Sequence, residues 1–141
     1  MIKRNSEIEQ ILEERFGKDS LIALATTAHD KPSVRVVDAF YEDGKFYVLT
    51  HSFSKKIKQI EENPQIAIAG DWFTATGTGE NLGFFGKQEN ARIANKMREL
   101  FAAWIDNGHN NFEDENTCIL QIHLLDGILI ANDTRYEIDF T

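Results

Sequence analysis

The sequence is poor in cysteine and proline, and it has no long apolar run. Cys118 is the only cysteine among 141 residues, so the chain can form neither an intrachain disulfide nor a CxxC metal motif. This usage is typical of the reducing cytoplasm, which is the location we predict. No segment approaches the ~20 apolar residues of a membrane-spanning helix, and the first ten residues lack the apolar core of a signal peptide. We therefore expect an intracellular protein with no membrane segment.

Positive charge is also scarce. The chain has 15 basic and 23 acidic residues, and its formal net charge is −8. A general nucleic-acid-binding protein would show a basic face, so we predict no nucleic-acid partner. The length and the 42% hydrophobic content are those of one globular domain, which we predict to span residues 1–141.

Basic residues are nevertheless concentrated in one stretch. The window from Lys31 to Lys58 has six basic and three acidic residues, a net charge of +3 that leaves −11 for the rest of the chain. Apolar, β-prone runs flank Asp43-Gly44 within this window. They predict a β-hairpin, because both central positions of the favoured two-residue turn need a positive φ.

The helix predicted after this hairpin has its charges reversed relative to its dipole. Ser52 or Ser54 can cap it, and Lys55 and Lys56 follow in its first turn, where each positive charge costs roughly 0.3–1 kcal/mol at an exposed site. A bound anion would explain this arrangement, because backbone N–H groups, a serine hydroxyl and two ammonium groups would converge on it. Arg35 on the neighbouring strand could add a planar, two-pronged donor. The alternative is an ordinary solvated turn that carries lysines.

Apolar periodicity predicts helices and short strands along the rest of the chain. The predicted helices run from a Ser6–Glu9 capping box to Gly17, from Ser54 to Glu62 and from Gln88 to Asp106. Besides the hairpin, strands are predicted over Ser20–Ala28, over Gln65–Thr78 with an interruption at Gly70-Asp71, twice within Thr117–Ala131 and once over Tyr136–Phe140. Asp126-Gly127 is interpreted as a second hairpin turn. Six or seven strands with short connections predict an antiparallel β-barrel with helices packed outside it.

No side-chain pattern indicates a catalytic group or a metal site. The four histidines are not at metal-ligand spacing with each other or with the cysteine, and no nucleophile elbow or Walker loop is present. His51 is the candidate of interest, because it ends a strand just before the possible anion site. The small residues Ala75, Gly77 and Gly79 would allow close approach of another backbone or a flat ligand, or they mark a barrel corner.

Taken in order, these segments resemble the pyridoxamine 5′-phosphate oxidase-like proteins, the FMN-binding split β-barrels. Leu21–Thr27 resembles their first barrel strand, and Pro32–Val37 resembles the strand whose arginine holds the flavin phosphate. Leu49-Thr50 with Ser54-Lys55-Lys56 resembles the family's T…S-[RK]-K segment, Glu62-Asn63-Pro64 is a common companion, and Tyr136–Phe140 resembles the closing strand of many small members. The resemblance covers nearly the whole chain and depends on the ordered set of motifs.

The resemblance implies a mainly β fold, a six- to seven-stranded, antiparallel, Greek-key split β-barrel with about three flanking helices. It also implies a homodimer with two FMN sites at its interface. The residues it assigns to the phosphate are Arg35, Ser54, Lys55 and Lys56. The residues it places along the isoalloxazine ring and ribityl chain are Val36, Val37, Asp38, Leu49 and Thr50, with His51 at the end of the strand. Trp72 falls near the position where the family's partner subunit touches FMN.

Two departures separate this chain from the true oxidases. Phe40 stands about where they carry a further basic residue, and they continue beyond the position of Thr141 with a segment that completes substrate recognition. We therefore expect a short member of the general-stress or nitroimidazole-resistance type, which oxidises or reduces a small molecule by hydride transfer at FMN. The alternatives are a non-catalytic module that binds flavin, the deazaflavin F420 or haem, and a structural barrel with an empty site.

Overall fold

A computed structural model describes all 141 residues, which form eight strands and three helices. The strands are β1 (Ile2–Lys3), β2 (Ser20–Ala28), β3 (Lys31–Glu42), β4 (Lys45–His51), β5 (Gln65–Gly70), β6 (Phe73–Phe84), β7 (Thr117–Ala131) and β8 (Thr134–Asp139). The helices are α1 (Ser6–Phe16), α2 (Lys55–Glu62) and α3 (Ala91–Leu100), and a 3₁₀ turn at Gln88–Asn90 directly precedes α3. None of the helices combines the length and the apolar character needed to cross a membrane.

Six of the strands close into an antiparallel barrel. Their order around the barrel is β7, β4, β3, β2, β5 and β6, and the pairing of β6 with β7 closes the ring. The long β7 pairs with β4 through its first half and with β8 through its second half. The short β1 then joins β8 in a parallel pairing. This architecture confirms the predicted mainly β, antiparallel split barrel with three flanking helices.

The two predicted hairpin turns have different outcomes. The turn at Asp43-Gly44 is confirmed, with φ of 49° and 77°. The turn at Asp126-Gly127 is wrong, because both residues lie inside the continuous strand β7, and the chain reverses instead at Asn132-Asp133, with φ of 53° and 59°. Gly127 allows the ring of Phe73 to pack closely against β7, since a Cβ at this position would lie 3.0 Å from that ring.

Helix α1 begins at Ser6, and its N-cap lies one residue before the predicted cap. The side chain of Asn5 accepts a hydrogen bond from the backbone N–H of Ile8 at 3.0 Å, so Asn5 is the N-cap and the capping box predicted for Ser6 is wrong. Asparagine and serine fill this position equally well, which makes their order in the sequence a weak guide. Gly17 ends the helix as predicted.

The third helix is shorter than its apolar pattern predicts. It ends at Leu100, and turns continue the chain through Asp106. The buried side chain of Asn90 donates hydrogen bonds to the carbonyl oxygens of Leu82 and Phe84, which ties the start of α3 to the end of β6. Phe101 and Ile105 remain buried although the helix has ended, because the turns keep them against the same strands.

Apolar side chains fill the barrel and form a second layer outside it. Inside, Phe16 of α1 packs near Gly70 at one end of the barrel, and Ile60 of α2 packs against Gly79 at the other. Outside, α3 covers Phe40, Tyr47 and Ile119 on β3, β4 and β7. Helix α2 therefore closes the end of the barrel opposite to α1.

The small residues of β6 face the inside of the barrel. A Cβ on Gly77 would lie 2.3 Å from the carbonyl oxygen of His123 in β7, and a Cβ on Gly79 would lie 3.0 Å from Ile60. The close approach predicted for this segment is therefore made to the backbone of β7 and to α2.

Candidate functional site

Helix α2 starts at the barrel end with the lysine-rich first turn that the sequence predicts. Ser54 is the N-cap, and its Oγ accepts a hydrogen bond from the backbone N–H of Ile57 at 3.4 Å. Because Ile57 and Ile60 face the core, the helical register turns Lys56 toward the barrel and leaves Lys55 in solvent. The first turn has no acidic residue and the last turn has no basic one, so no side chain of α2 complements its dipole.

Arg35 is half-buried on the inner face of β3, directly beneath α2. Its guanidinium donates hydrogen bonds to the carbonyl oxygen of Leu24 at 3.1 Å, to Thr26 Oγ1 at 2.8 Å and to Gln59 Oε1 at 3.2 Å. All three acceptors are neutral, and no ion pair of the structure includes this arginine. Burial accordingly lowers the pKa of Arg35.

Lys56 is the second half-buried cation at this end of the barrel. Its Nζ donates to Thr50 Oγ1 at 3.0 Å, and the Thr50 hydroxyl lies 3.4 Å from Ser54 Oγ. Burial and the positive charge of nearby Arg35 both lower the pKa of Lys56. Two like charges thus lie close together without a counter-ion, an arrangement that disfavours both charged forms unless an anion joins them.

An open cleft of about 700 Å³ adjoins this pair of cations. Gln59 and Ser33 line it, and Gln59 Nε2 donates to Ser33 Oγ at 3.3 Å. Lys55 belongs to the wall of this cleft, and no hydrogen bond links its side chain to Arg35 or Lys56. The structure therefore brings Arg35, Lys56 and the start of α2 together and leaves Lys55 on the solvent side.

The strand residues predicted along the ring of a flavin face different sides of β3. Val36 points outward and is 66% exposed, whereas Val37 packs against the barrel core. Asp38 is half-buried, and burial together with a hydrogen bond to the carboxyl of Asp19 raises the pKa of Asp38. On β4, Leu49 packs against the outer cluster beneath α3. Among these predicted residues, Thr50 contacts the cation pair, because its hydroxyl accepts the hydrogen bond from Lys56.

The ring of His51 already has a partner at each nitrogen. Nδ1 accepts a hydrogen bond from the backbone N–H of Phe53 at 3.2 Å, so Nε2 carries the proton and donates to Asp114 Oδ2 at 2.9 Å. Hydrogen bonds from the backbone N–H of Asn116 and from His51 lower the pKa of Asp114. The imidazole is thus directed toward the loop before β7, and a contact between His51 and a cofactor stays a prediction.

Trp72 lies far from the cation pair within one chain. It is 69% exposed in the turn between β5 and β6, with φ of 50°. This turn is at the α1 end of the barrel, where Arg15 donates to the carbonyl oxygen of Asp71 at 3.0 Å. A contact between Trp72 and a cofactor at Arg35 would need a second subunit, and it too stays a prediction.

Three polar residues belong to the site although the sequence did not single them out. They are Thr26, Ser33 and Gln59, which surround the guanidinium of Arg35 or connect it to the cleft. The sequence pattern could have indicated Thr26. It is a polar residue at an inward position of β2, where the alternate residues before it are apolar and buried. Gln59 follows Lys56 by three positions and so lies on the same side of the helix.

Comparison with known proteins identifies the relatives of this chain. The family model for pyridoxamine 5′-phosphate oxidase matches residues 7–127. A pyridoxine/pyridoxamine 5′-phosphate oxidase from Crocosphaera subtropica (strain ATCC 51142 / BH68) is 33% identical over an alignment of 91 residues, and the match covers 55% of this chain and 42% of that protein. The match thus spans less than half the length of that relative.

Solved structures share the fold at low sequence identity. A NimC/NimA family protein from Clostridium acetobutylicum has a TM-score of 0.67 at 20% identity, with 92% of each chain covered. An FAD-binding protein from Mesorhizobium loti has a TM-score of 0.66 at 14% identity, covering 88% of this chain and 92% of that one. HutZ, the haem storage protein from Vibrio cholerae, has a TM-score of 0.63 at 18% identity, covering 87% and 91%. These likenesses concern the fold, whereas the family model covers most of the sequence, and the chain therefore belongs to the pyridoxamine 5′-phosphate oxidase family.

Proposed function

We propose that this protein binds FMN through its phosphate and uses it to oxidise or reduce a small molecule. The observation that carries this proposal is the half-buried pair of Arg35 and Lys56, which has no carboxylate partner and lies at the start of α2. A phosphate monoester brings roughly two negative charges and several acceptor oxygens. It would neutralise both cations and complement the positive end of the helix dipole.

In this proposal the chain supplies position and charge. Arg35, Ser54 and Lys56 hold the phosphate, and Lys55 approaches it from the solvent side. The segments Val36–Asp38 and Leu49-Thr50 border the ring and the ribityl chain. His51 contributes through its backbone, because its carbonyl oxygen accepts a hydrogen bond from the Ser54 N–H at 3.0 Å and shapes the turn into α2. When bound, the flavin supplies a ring that accepts and returns hydride, and we assign no side chain as acid or base.

The proposal includes a homodimer formed through the outer face of β2 and β3. Leu21, Val34 and Val36 are 64%, 70% and 66% exposed on this face, and Ala23 pairs with Val36 between them. Adjoining apolar side chains on a sheet face mark a surface suited to contact with another protein. A second copy on this face would also account for Trp72, which would reach the cofactor of the other subunit.

The test compares FMN with riboflavin, which lacks the phosphate. We expect the protein to bind FMN at least about tenfold more tightly than riboflavin, because each charge-assisted hydrogen bond contributes about 1.5–3 kcal/mol. Arg35→Ala and Lys56→Ala should remove most of this preference and leave riboflavin binding unchanged, as measured by quenching of flavin fluorescence. Lys18→Ala is the control, since Lys18 is exposed after α1 and far from the site. Equal affinity for the two flavins would contradict the proposal.

A non-catalytic binding module is the second candidate. HutZ, which has the same fold, is a haem storage protein, and so the barrel itself does not select a flavin. The absorption spectrum of the purified protein distinguishes haem, flavin and F420 by their different bands. A bound flavin that nicotinamide cofactors do not reduce would favour storage or sensing over oxidoreductase activity.

A further inference from the structure

The cleft beside the cation pair has the features of a second phosphate subsite. We propose that the flavin site extends into this cleft and accepts the adenylate half of FAD, so that FAD replaces FMN as the preferred flavin; this inference rests on the flavin phosphate site described under the proposed function. The cleft is about 700 Å³, which is within the range of pockets that hold ligands.

Three ammonium groups give the cleft a positive charge. Lys31, Lys55 and Lys58 line it, all are exposed, and none of them forms an ion pair. The one carboxylate that lines the cleft belongs to Glu62, and its Oε2 lies 3.1 Å from Nε2 of His29. In a chain with a net charge of −8, a cleft with three unpaired lysines is a local site for a polyanion.

The cleft is continuous with the first anion site. Gln59 joins them, because its Oε1 accepts a hydrogen bond from Arg35 while its Nε2 donates to Ser33 on the cleft floor. Arg35, Ser33 and Lys31 are alternate residues of β3, so they follow one face of the strand from the buried site to the open end of the cleft. A dinucleotide whose pyrophosphate starts at Arg35 can therefore extend along Ser33 toward Lys31 and Lys58.

An aromatic side chain stands at the cleft. Phe53 is 65% exposed, and the Nζ of Lys58 lies 5.8 Å from the centre of its ring. An exposed aromatic ring beside lysines is the arrangement that stacks a nucleobase while it binds the adjoining phosphate. The flavin ring itself is assigned to the opposite side of Arg35, along Val36–Asp38, and so the cleft remains for the adenylate.

The test measures the affinity for FMN and for FAD in parallel titrations. We expect the wild-type protein to bind FAD at least about tenfold more tightly than FMN. The double variant Lys31→Ala/Lys58→Ala should lose this preference and still bind FMN within about twofold of wild type. Phe53→Ala should lower the affinity for FAD and leave the affinity for FMN unchanged. The control Lys18→Ala/Lys45→Ala removes the same charge elsewhere and should change neither affinity.

Three results would overturn the inference. The adenylate subsite would be refuted, and the FMN site left intact, if the protein bound FAD no more tightly than FMN. The same holds if the double variant lowered the affinities for both flavins equally. Failure of both FMN and FAD to bind would refute the flavin site together with its extension. Because Lys31, Lys58 and Phe53 are exposed, their replacement should not disturb folding, and circular dichroism checks this.

Discussion

Gln59 of α2 accepts a hydrogen bond from Arg35 of β3, with 3.2 Å between Oε1 and Nη2. A carboxylate is the usual partner of a half-buried arginine, and glutamine is its neutral counterpart of nearly the same shape. The structure thus orients the guanidinium without neutralising it. The charge of Arg35, like that of Lys56, remains available for an anion from outside the chain.

Gln59→Glu should reverse this arrangement. The new carboxylate would pair with Arg35, so the ligand-free protein should gain roughly 1 kcal/mol of stability, which is about 2–4 °C in Tm for a chain of this size. The affinity for FMN should fall at least about tenfold, because the phosphate would compete with an internal anion. Asn107→Asp, a loop substitution that keeps its hydrogen bond from the His109 N–H, is the control. Unchanged FMN affinity in Gln59→Glu would show that the phosphate does not bind here.

Lys56→Met should stabilise the ligand-free protein in a pH-dependent way. The pKa of Lys56 lies below its ordinary value of 10.5, so between these two values the folded state binds fewer protons than the unfolded state. The penalty for the buried charge is therefore full at neutral pH and is relieved as the pH rises. We expect the free energy of unfolding of the variant to exceed that of wild type by about 1 kcal/mol near pH 7 and by less near pH 10, as measured by urea unfolding. A difference that grows with pH would contradict the direction of this shift.

Glu42→Gln should loosen α3. Glu42 accepts hydrogen bonds from Arg92 at 3.0 and 2.7 Å and from Lys96 at 2.7 Å, and these partners lower the pKa of Glu42 to about 2. The stabilisation is present above the ordinary pKa of 4.5 and is lost as the pH falls through about 2. We expect the free energy of unfolding to fall by about 1–2 kcal/mol at neutral pH. The loss is small because Arg92 is largely exposed. The difference from wild type should disappear in acid, and a constant difference would mean that the ion pair is not its cause.

Val34→Asp should dissociate the proposed dimer without unfolding the subunit. Val34 is 70% exposed, so its replacement costs the monomer little, whereas a carboxylate buried in a symmetric interface has no partner. We expect the dimer dissociation constant to rise more than about tenfold in sedimentation experiments, together with a loss of FMN affinity. The control is Leu125→Asp on β7, where the side chain is 37% exposed. If wild type is a monomer, or if the variant dimerises as wild type does, the assigned interface is wrong.

Local signals predicted the elements on which the candidate site stands. The Asp43-Gly44 turn and the Ser54 cap are each determined by neighbouring residues, through positive φ in one case and an orphan backbone N–H in the other. The same turn signal failed at Asp126-Gly127, because the pairing of β7 with both β6 and β8 keeps the strand extended there. Position 127 needs a glycine because the ring of Phe73 packs against it. No local sequence pattern reveals this contact.

The barrel class, the lysine-rich start of α2 and the family can be read from the chain without coordinates, because periodicity, capping and motif order are properties of neighbouring residues. The residues that surround Arg35 cannot be predicted in this way. Its neighbours Thr26, Gln59 and Lys56 come from β2 and α2, and they meet it only when α2 folds over the end of the barrel. Charge, burial and the absence of a counter-ion depend on that long-range packing, so only the folded chain shows two half-buried cations without an acidic partner.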